Sequence, residues 1–180
     1  LKSLLLDNNK IESVHDRAFN GLARLEVLSL EANKMKRIPK NLLINLANLK
    51  ELSIFENDIH FDKTSEDANE LFQNQTRLET LNLIWNDFEL INSRVFMNLT
   101  SLIELYLYGN KIADILDNSF ECLVKLEVLD LGYNKQKRIN DKAFKGLNAL
   151  KYLSISKNSI DYIHLDAFKE LNNLQRLSGH

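Results

Sequence analysis

The chain has 180 residues, 44% of them hydrophobic and 27% charged, with 34 leucines against one proline and five glycines. That is enough for one domain with a buried core, and it excludes collagen-like and disordered low-complexity chains. A net charge of −2 gives no basic excess for nucleic acid or an anionic membrane, no run of about 18 apolar residues can span a bilayer, and one cysteine, Cys122, allows neither an internal disulfide nor a cysteine-rich zinc site.

From the N-terminus onward the chain is a tandem repeat. Its units open at Leu1, Leu25, Leu49, Leu78, Leu102, Leu126, Leu150 and Leu174, a spacing of 24 residues everywhere except the 29 of the third unit. Each unit begins Leu-x-x-Leu-x-Leu/Ile-x-x-Asn, with the asparagines at Asn9, Asn33, Asn57, Asn86, Asn110, Asn134 and Asn158. The period-2 alternation, as in Leu105-Tyr106-Leu107, predicts one short strand per unit, and like strands should pair in parallel about 4.8 Å apart. Where the backbone leaves each strand, the asparagine amide is expected to satisfy main-chain groups of adjacent coils, which makes the seven asparagines scaffold.

The first two units (1–48) place Phe19, then Leu43, in the return half, and the second carries the basic turn Lys34-Met35-Lys36-Arg37. In the third unit (49–77) five extra residues fall within about 60–75. There Thr64-Ser65-Glu66-Asp67 predicts an N-capped helical turn on a surface loop, and Gln75 replaces a leucine. Asp58, His60, Asp62, Glu66 and Asp67 lack any dedicated metal-ligand spacing, so a solvated loop without metal or cofactor is expected. Units four and five (78–125) contribute Trp85, Tyr106 and Tyr108, then Phe96, Phe120 and Cys122, whose counterparts in other units are mostly polar or small and place its thiol near the surface. Unit six (126–149) repeats the basic turn as Lys135-Gln136-Lys137-Arg138, too far from the first to share a patch. Unit seven (150–173) closes with Ile160, Ile163, Phe168 and Leu171, and the pattern stops at Ser178-Gly179-His180. With Phe72 and Phe144, the phenylalanines predict an apolar stack opposite the strands. Two glycosylation sequons, at Asn74 and Asn98, lie on the return side. About two are expected by chance in this composition, so they permit an extracellular location without establishing it.

Seven in-register copies of this motif resemble the leucine-rich repeat, in the 24-residue variety of extracellular animal proteins such as Toll-type receptors, Slit and chaoptin. The resemblance covers the whole chain and implies an α/β solenoid: a right-handed coil forming a curved horseshoe segment, with a concave parallel β-sheet and an irregular convex side. The chain is expected to be one array, 1–180, of seven complete repeats and the start of an eighth, without terminal caps. A segment of a longer ectodomain is the expectation, with low stability alone, and a cooperative melt above about 55 °C would count against it.

In such a repeat the second, third, fifth, seventh and eighth residues of each unit are exposed on the concave face. Nine acids and four bases occupy these positions, among them Glu79, Glu104, Glu127 and Asp130. Phe55, Ile84, Trp85, Tyr106, Tyr108 and Tyr133 gather there too, and an exposed aromatic cluster ringed by acids predicts a protein-binding surface for a partner with a basic patch. His15 and His164 sit at matching positions of distant units, and no nucleophile elbow, phosphate loop or paired catalytic carboxylates occur, so catalysis is not expected. The leading expectation is a recognition module of a cell-surface, innate-immune type of receptor, taking a protein ligand or co-receptor, or a second copy of the chain. The alternatives are a secreted or membrane-tethered adhesion or guidance protein and, further off, a cytoplasmic scaffold.

Overall fold

The computed structural model describes residues 1–60 and 71–179. Along them run β1 (Ser3–Leu5), β2 (Val27–Ser29), β3 (Glu51–Ser53), β4 (Thr80–Asn82), β5 (Leu90–Ile91), β6 (Glu104–Tyr106), β7 (Asp114–Ile115), β8 (Val128–Asp130), β9 (Arg138–Ile139), β10 (Tyr152–Ser154), β11 (Tyr162–Ile163) and β12 (Arg176–Ser178). Eight of them form one parallel sheet in the order β1-β2-β3-β4-β6-β8-β10-β12. The register is in phase throughout, with Leu4, Leu28, Leu52, Leu81, Leu105, Leu129, Leu153 and Leu177 facing one another in succession. Leu52 still pairs with Leu81 across the long third unit, so its five extra residues do not shift the ladder. A one-residue slip would turn every leucine outward, and this fixes the register firmly.

The core is the column of inward leucines between the sheet and the return segments. Leu28, Leu52, Leu81, Leu105, Leu129 and Leu153 are at most 1% exposed. Opposite them Phe96 stacks on Phe120 at 6.1 Å and Phe144 on Phe168 at 6.0 Å, both at 12°. Phe19, Leu43 and Phe72 are also buried. After the strands, β5 pairs with β7 and β9 with β11 in two small parallel sheets. The remaining returns are turns, with no helix among the described residues. The helical turn expected at Thr64–Asp67 falls outside them. Gln75 is fully buried in the place of a leucine: its Nε2 donates to the Leu43 carbonyl at 2.6 Å and its Oε1 accepts the Asn74 N–H at 3.3 Å.

A side-chain amide ladder ties the coils together. The Asn110 Nδ2 donates to the carbonyls of Leu83 (2.9 Å) and Leu107 (3.0 Å), and its Oδ1 accepts the N–H of Phe88 (3.1 Å). Asn33, Asn57, Asn86, Asn134 and Asn158 make the same bridge to the coil before them. Asn9 bonds within its own coil, to the Leu6 and Asp7 carbonyls. Buried main-chain groups that leave the sheet thereby keep partners.

Candidate functional site

The eighth residue of every unit has a left-handed backbone: φ is 55° at Asn8, 49° at Ala32, 56° at Glu56, 51° at Trp85, 71° at Gly109, 52° at Tyr133 and 55° at Lys157. A bulky residue held there costs about 1–3 kcal/mol and persists only because its surroundings fix it. For Trp85 the fixing bond is its N–H donated to the Tyr108 carbonyl at 2.9 Å; for Tyr133 it is the N–H to Ser156 at 2.8 Å. The conformation places both rings across the concave surface. Trp85 meets Tyr108 edge-on at 5.6 Å and Tyr133 at 5.2 Å, while Tyr108 stacks on Tyr133 at 5.7 Å and 28°. Trp85 remains 43% and Tyr133 50% exposed.

Two glycines form the floor of this triad, and sequence reasoning did not single them out. A Cβ on Gly109 would lie 2.6 Å from the Trp85 ring, and one on Gly132 would lie 2.9 Å from Tyr108. The available signal was that a glycine follows each of these rings by 24 residues, one coil on, where a ring lying flat needs clearance. Among the described residues Phe55 and Tyr106 make no ring contact with the triad. Tyr106 instead donates its hydroxyl to Glu104 Oε2 at 3.1 Å, and burial beside that carboxylate raises its pKa. It lines a concave trough of about 360 Å³ with Asp7, Ser29, Glu31, Ser53 and Asn82. Ile84 is half-buried and Glu79 exposed.

The acids of the concave face are not equally available. Glu127 is paired with Lys151 at 2.8 Å, and Asp130 accepts the Gly132 N–H at 2.9 Å. Glu26 is paired with both Lys2 (2.6 Å) and Lys50 (3.0 Å), whose hydrogen bonds hold its carboxyl down at about 2. Glu56 and Glu79 have no cation partner among the described residues.

Asn74 is exposed, with its Nδ2 donating to the Ile44 carbonyl at 2.8 Å, and Asn98 is half-buried. Cys122 is a half-buried free thiol. Among the described residues no three His, Cys, Asp or Glu side chains converge as a metal site. Asp62, Glu66, Asp67 and His180 lie outside those residues. His15 and His164 are turn acceptors, each taking an N–H two residues ahead on Nδ1 at 3.1 Å.

The sequence model of the leucine rich repeat family matches residues 1–59, 76–135 and 125–178. Bovine osteomodulin (Bos taurus) is 35% identical over 95 residues, 53% of this chain and 20% of that protein. The TLR13 structure in complex with ssRNA13 superimposes with a TM-score of 0.89 at 30% identity, over 98% of this chain and 24% of that one. The Drosophila Toll–Spätzle structure gives 0.84 at 17% identity, over 99% and 23%. The complex of latrophilin 3, Unc5D and FLRT2 (LRR) gives 0.74 at 24%, over 99% and 60%. The chain thus spans about a fifth of osteomodulin's length and a quarter of TLR13's. The TLR13 complex with single-stranded RNA corrects the exclusion of nucleic acid drawn from net charge. A −2 total does not describe local potential, because a solenoid brings together residues a full repeat apart in sequence.

Proposed function

Because the chain belongs to the leucine-rich repeat family, we propose that it is a non-catalytic recognition module of a cell-surface, Toll-like receptor ectodomain that binds a protein partner on its concave face. The observation that carries this reading is the ring triad of Trp85, Tyr108 and Tyr133, half-exposed on a sheet whose register leaves it no core to pack into. Covering such rings recovers about 25 cal/mol for each Å² of apolar surface removed from water. Large aromatics on a rigid support lose little entropy on binding, which suits them to act as anchors. Glu56, Glu79 and Glu104 on the same concave face favour a partner with a basic patch, giving association that weakens with salt. The sequons at Asn74 and Asn98 fall on the return side rather than on the sheet, in keeping with an extracellular location.

A screen of the full-length protein against secreted proteins and cell-surface ectodomains tests this. For each binder, Trp85→Ala/Tyr133→Ala should weaken affinity by more than about 2 kcal/mol, the range of interface hot spots. Met97→Ala/Val124→Ala, at two exposed apolar residues of the return segments, should leave it unchanged. The opposite pattern would move the binding face away from the sheet.

A further inference from the structure

A second charged feature lies at the N-terminal edge of the sheet, at the other end of the strands from the ring triad. Lys2, Glu26, Lys50 and Glu79 occupy the same position of four successive units, and Arg24, Asn48 and Arg77 stand two residues before the last three, each the last residue of its unit. These six side chains line a cavity of about 240 Å³ with no apolar residue in its wall. Both Glu26 oxygens are taken up by Lys2 and Lys50, so the carboxylate is neutralised within its own row. The Asn48 Nδ2 donates to the Ala23 carbonyl at 2.8 Å, and its Oδ1 accepts the Arg77 guanidinium at 2.7 Å. Arg77 is thus held in place by a neutral group and has no ion-pair partner among the described residues. Arg24 has no acidic partner among the described residues. Four cations and one acid line the cavity, with Glu79 next in the row beyond Lys50, and the two guanidinium-bearing residues are two coils, or about 10 Å, apart along the edge.

We propose that this edge binds a sulfated polysaccharide chain, with Arg24 and Arg77 as the anion contacts and Asn48 between them. Guanidinium forks pair bidentately with oxyanions, and the two arginines stand two coil pitches apart along the edge. The wall has no aliphatic or aromatic side chain, only the polar heads and methylene stems of lysine, arginine, glutamate and asparagine, which suits a ligand that carries charges and hydroxyls on a sugar backbone. A peptide's bulky apolar anchors would find no side chain of their kind to pack on, and single-stranded nucleic acid would find no ring on which to stack its bases. The aromatic rings belong to the opposite end of the strands, so the two surfaces can be occupied independently.

The test measures binding of a heparin octasaccharide to the intact chain by calorimetry at about 150 mM salt. Arg24→Gln/Arg77→Gln should weaken it at least about tenfold, the expected loss of two charge-assisted contacts. Arg24→Gln alone, which removes no hydrogen bond recorded in the fold, should weaken it measurably and guards against misfolding of the double variant. Lys135→Gln/Lys137→Gln, which deletes the same charge from a distant turn, and Trp85→Ala/Tyr133→Ala should leave it unchanged. Absence of octasaccharide binding, equal losses in the two charge variants, or equal or tighter binding of an oligouridylate or polyglutamate of matched charge would overturn the proposal.

Discussion

Replacing Gln136 with methionine should stabilise the protein. The eleventh residue of each unit points into the core as Ile11, Met35, Ile59, Phe88, Ile112 and Ile160 in six units and as Gln136 in the sixth of the seven. Gln136 is 1% exposed, and neither its Oε1 nor its Nε2 has a hydrogen-bond partner among the described residues. Its main chain is satisfied, the N–H donating to Asn158 Oδ1 and the carbonyl accepting from Ser159, both at 3.0 Å, and a side-chain change leaves both bonds in place. Burying an unpaired amide costs about 1–3 kcal/mol, and methionine removes that cost with an unbranched side chain of similar length. For a chain of this size each kcal/mol shifts the melting point by about 2–4 °C, so Gln136→Met should raise it by about 2–12 °C. Thermal and urea melts followed by circular dichroism measure this, with Ile112→Gln expected to shift in the opposite direction. A neutral or destabilising Gln136→Met would refute the reasoning, because it would mean that the amide has a partner in solution worth as much as its burial.

Gly109→Ala should cost about 1–3 kcal/mol in urea melts, since φ of 71° strains any side chain and the Trp85 ring lies 2.6 Å from the added methyl; the displaced tryptophan should also change its fluorescence. Asn110→Ala leaves the Phe88 N–H without its side-chain acceptor and removes two bonds to carbonyls, for a loss of at least about 2 kcal/mol, whereas Asn9→Ala, exposed and bonded only within its own coil, should cost clearly less in the same assay. The Glu26 pairing should stabilise fully above about pH 4.5 and be lost as pH falls through about 2, and Lys2→Ala/Lys50→Ala should bring the Glu26 carboxyl back toward 4.5 in a ¹³C NMR titration.

The coil, its register and its amide bridges were legible because the repeat states them seven times over. Leu4, Leu28 and Leu52 must face inward together, and an asparagine that recurs where strands end has backbone groups to satisfy. The Trp85, Tyr108 and Tyr133 cluster was legible as exposed aromatics on one face. What the one-dimensional pattern did not separate was which rings touch. That depends on the left-handed backbone at the eighth position, which swings Trp85 and Tyr133 together while Tyr106 turns to Glu104 and Phe55 stays apart. Gly109 and Gly132 acquire meaning only when a ring from the preceding coil lies over them. Net charge misled for a related reason. Lys2 and Lys50 count as bases scattered among concave acids until the coils align them with Arg24 and Arg77 along one edge.

Trp85 is the lone tryptophan of the chain and lies in the proposed anchor, so it reports directly on concave-face recognition. With 5-fluorotryptophan incorporated and the partner from the ectodomain screen titrated in, the ¹⁹F resonance of Trp85 should shift in proportion to occupancy and lose its solvent exposure. A saturating partner that leaves that resonance unmoved while perturbing Met97 and Val124 on the return segments would contradict recognition by the concave face.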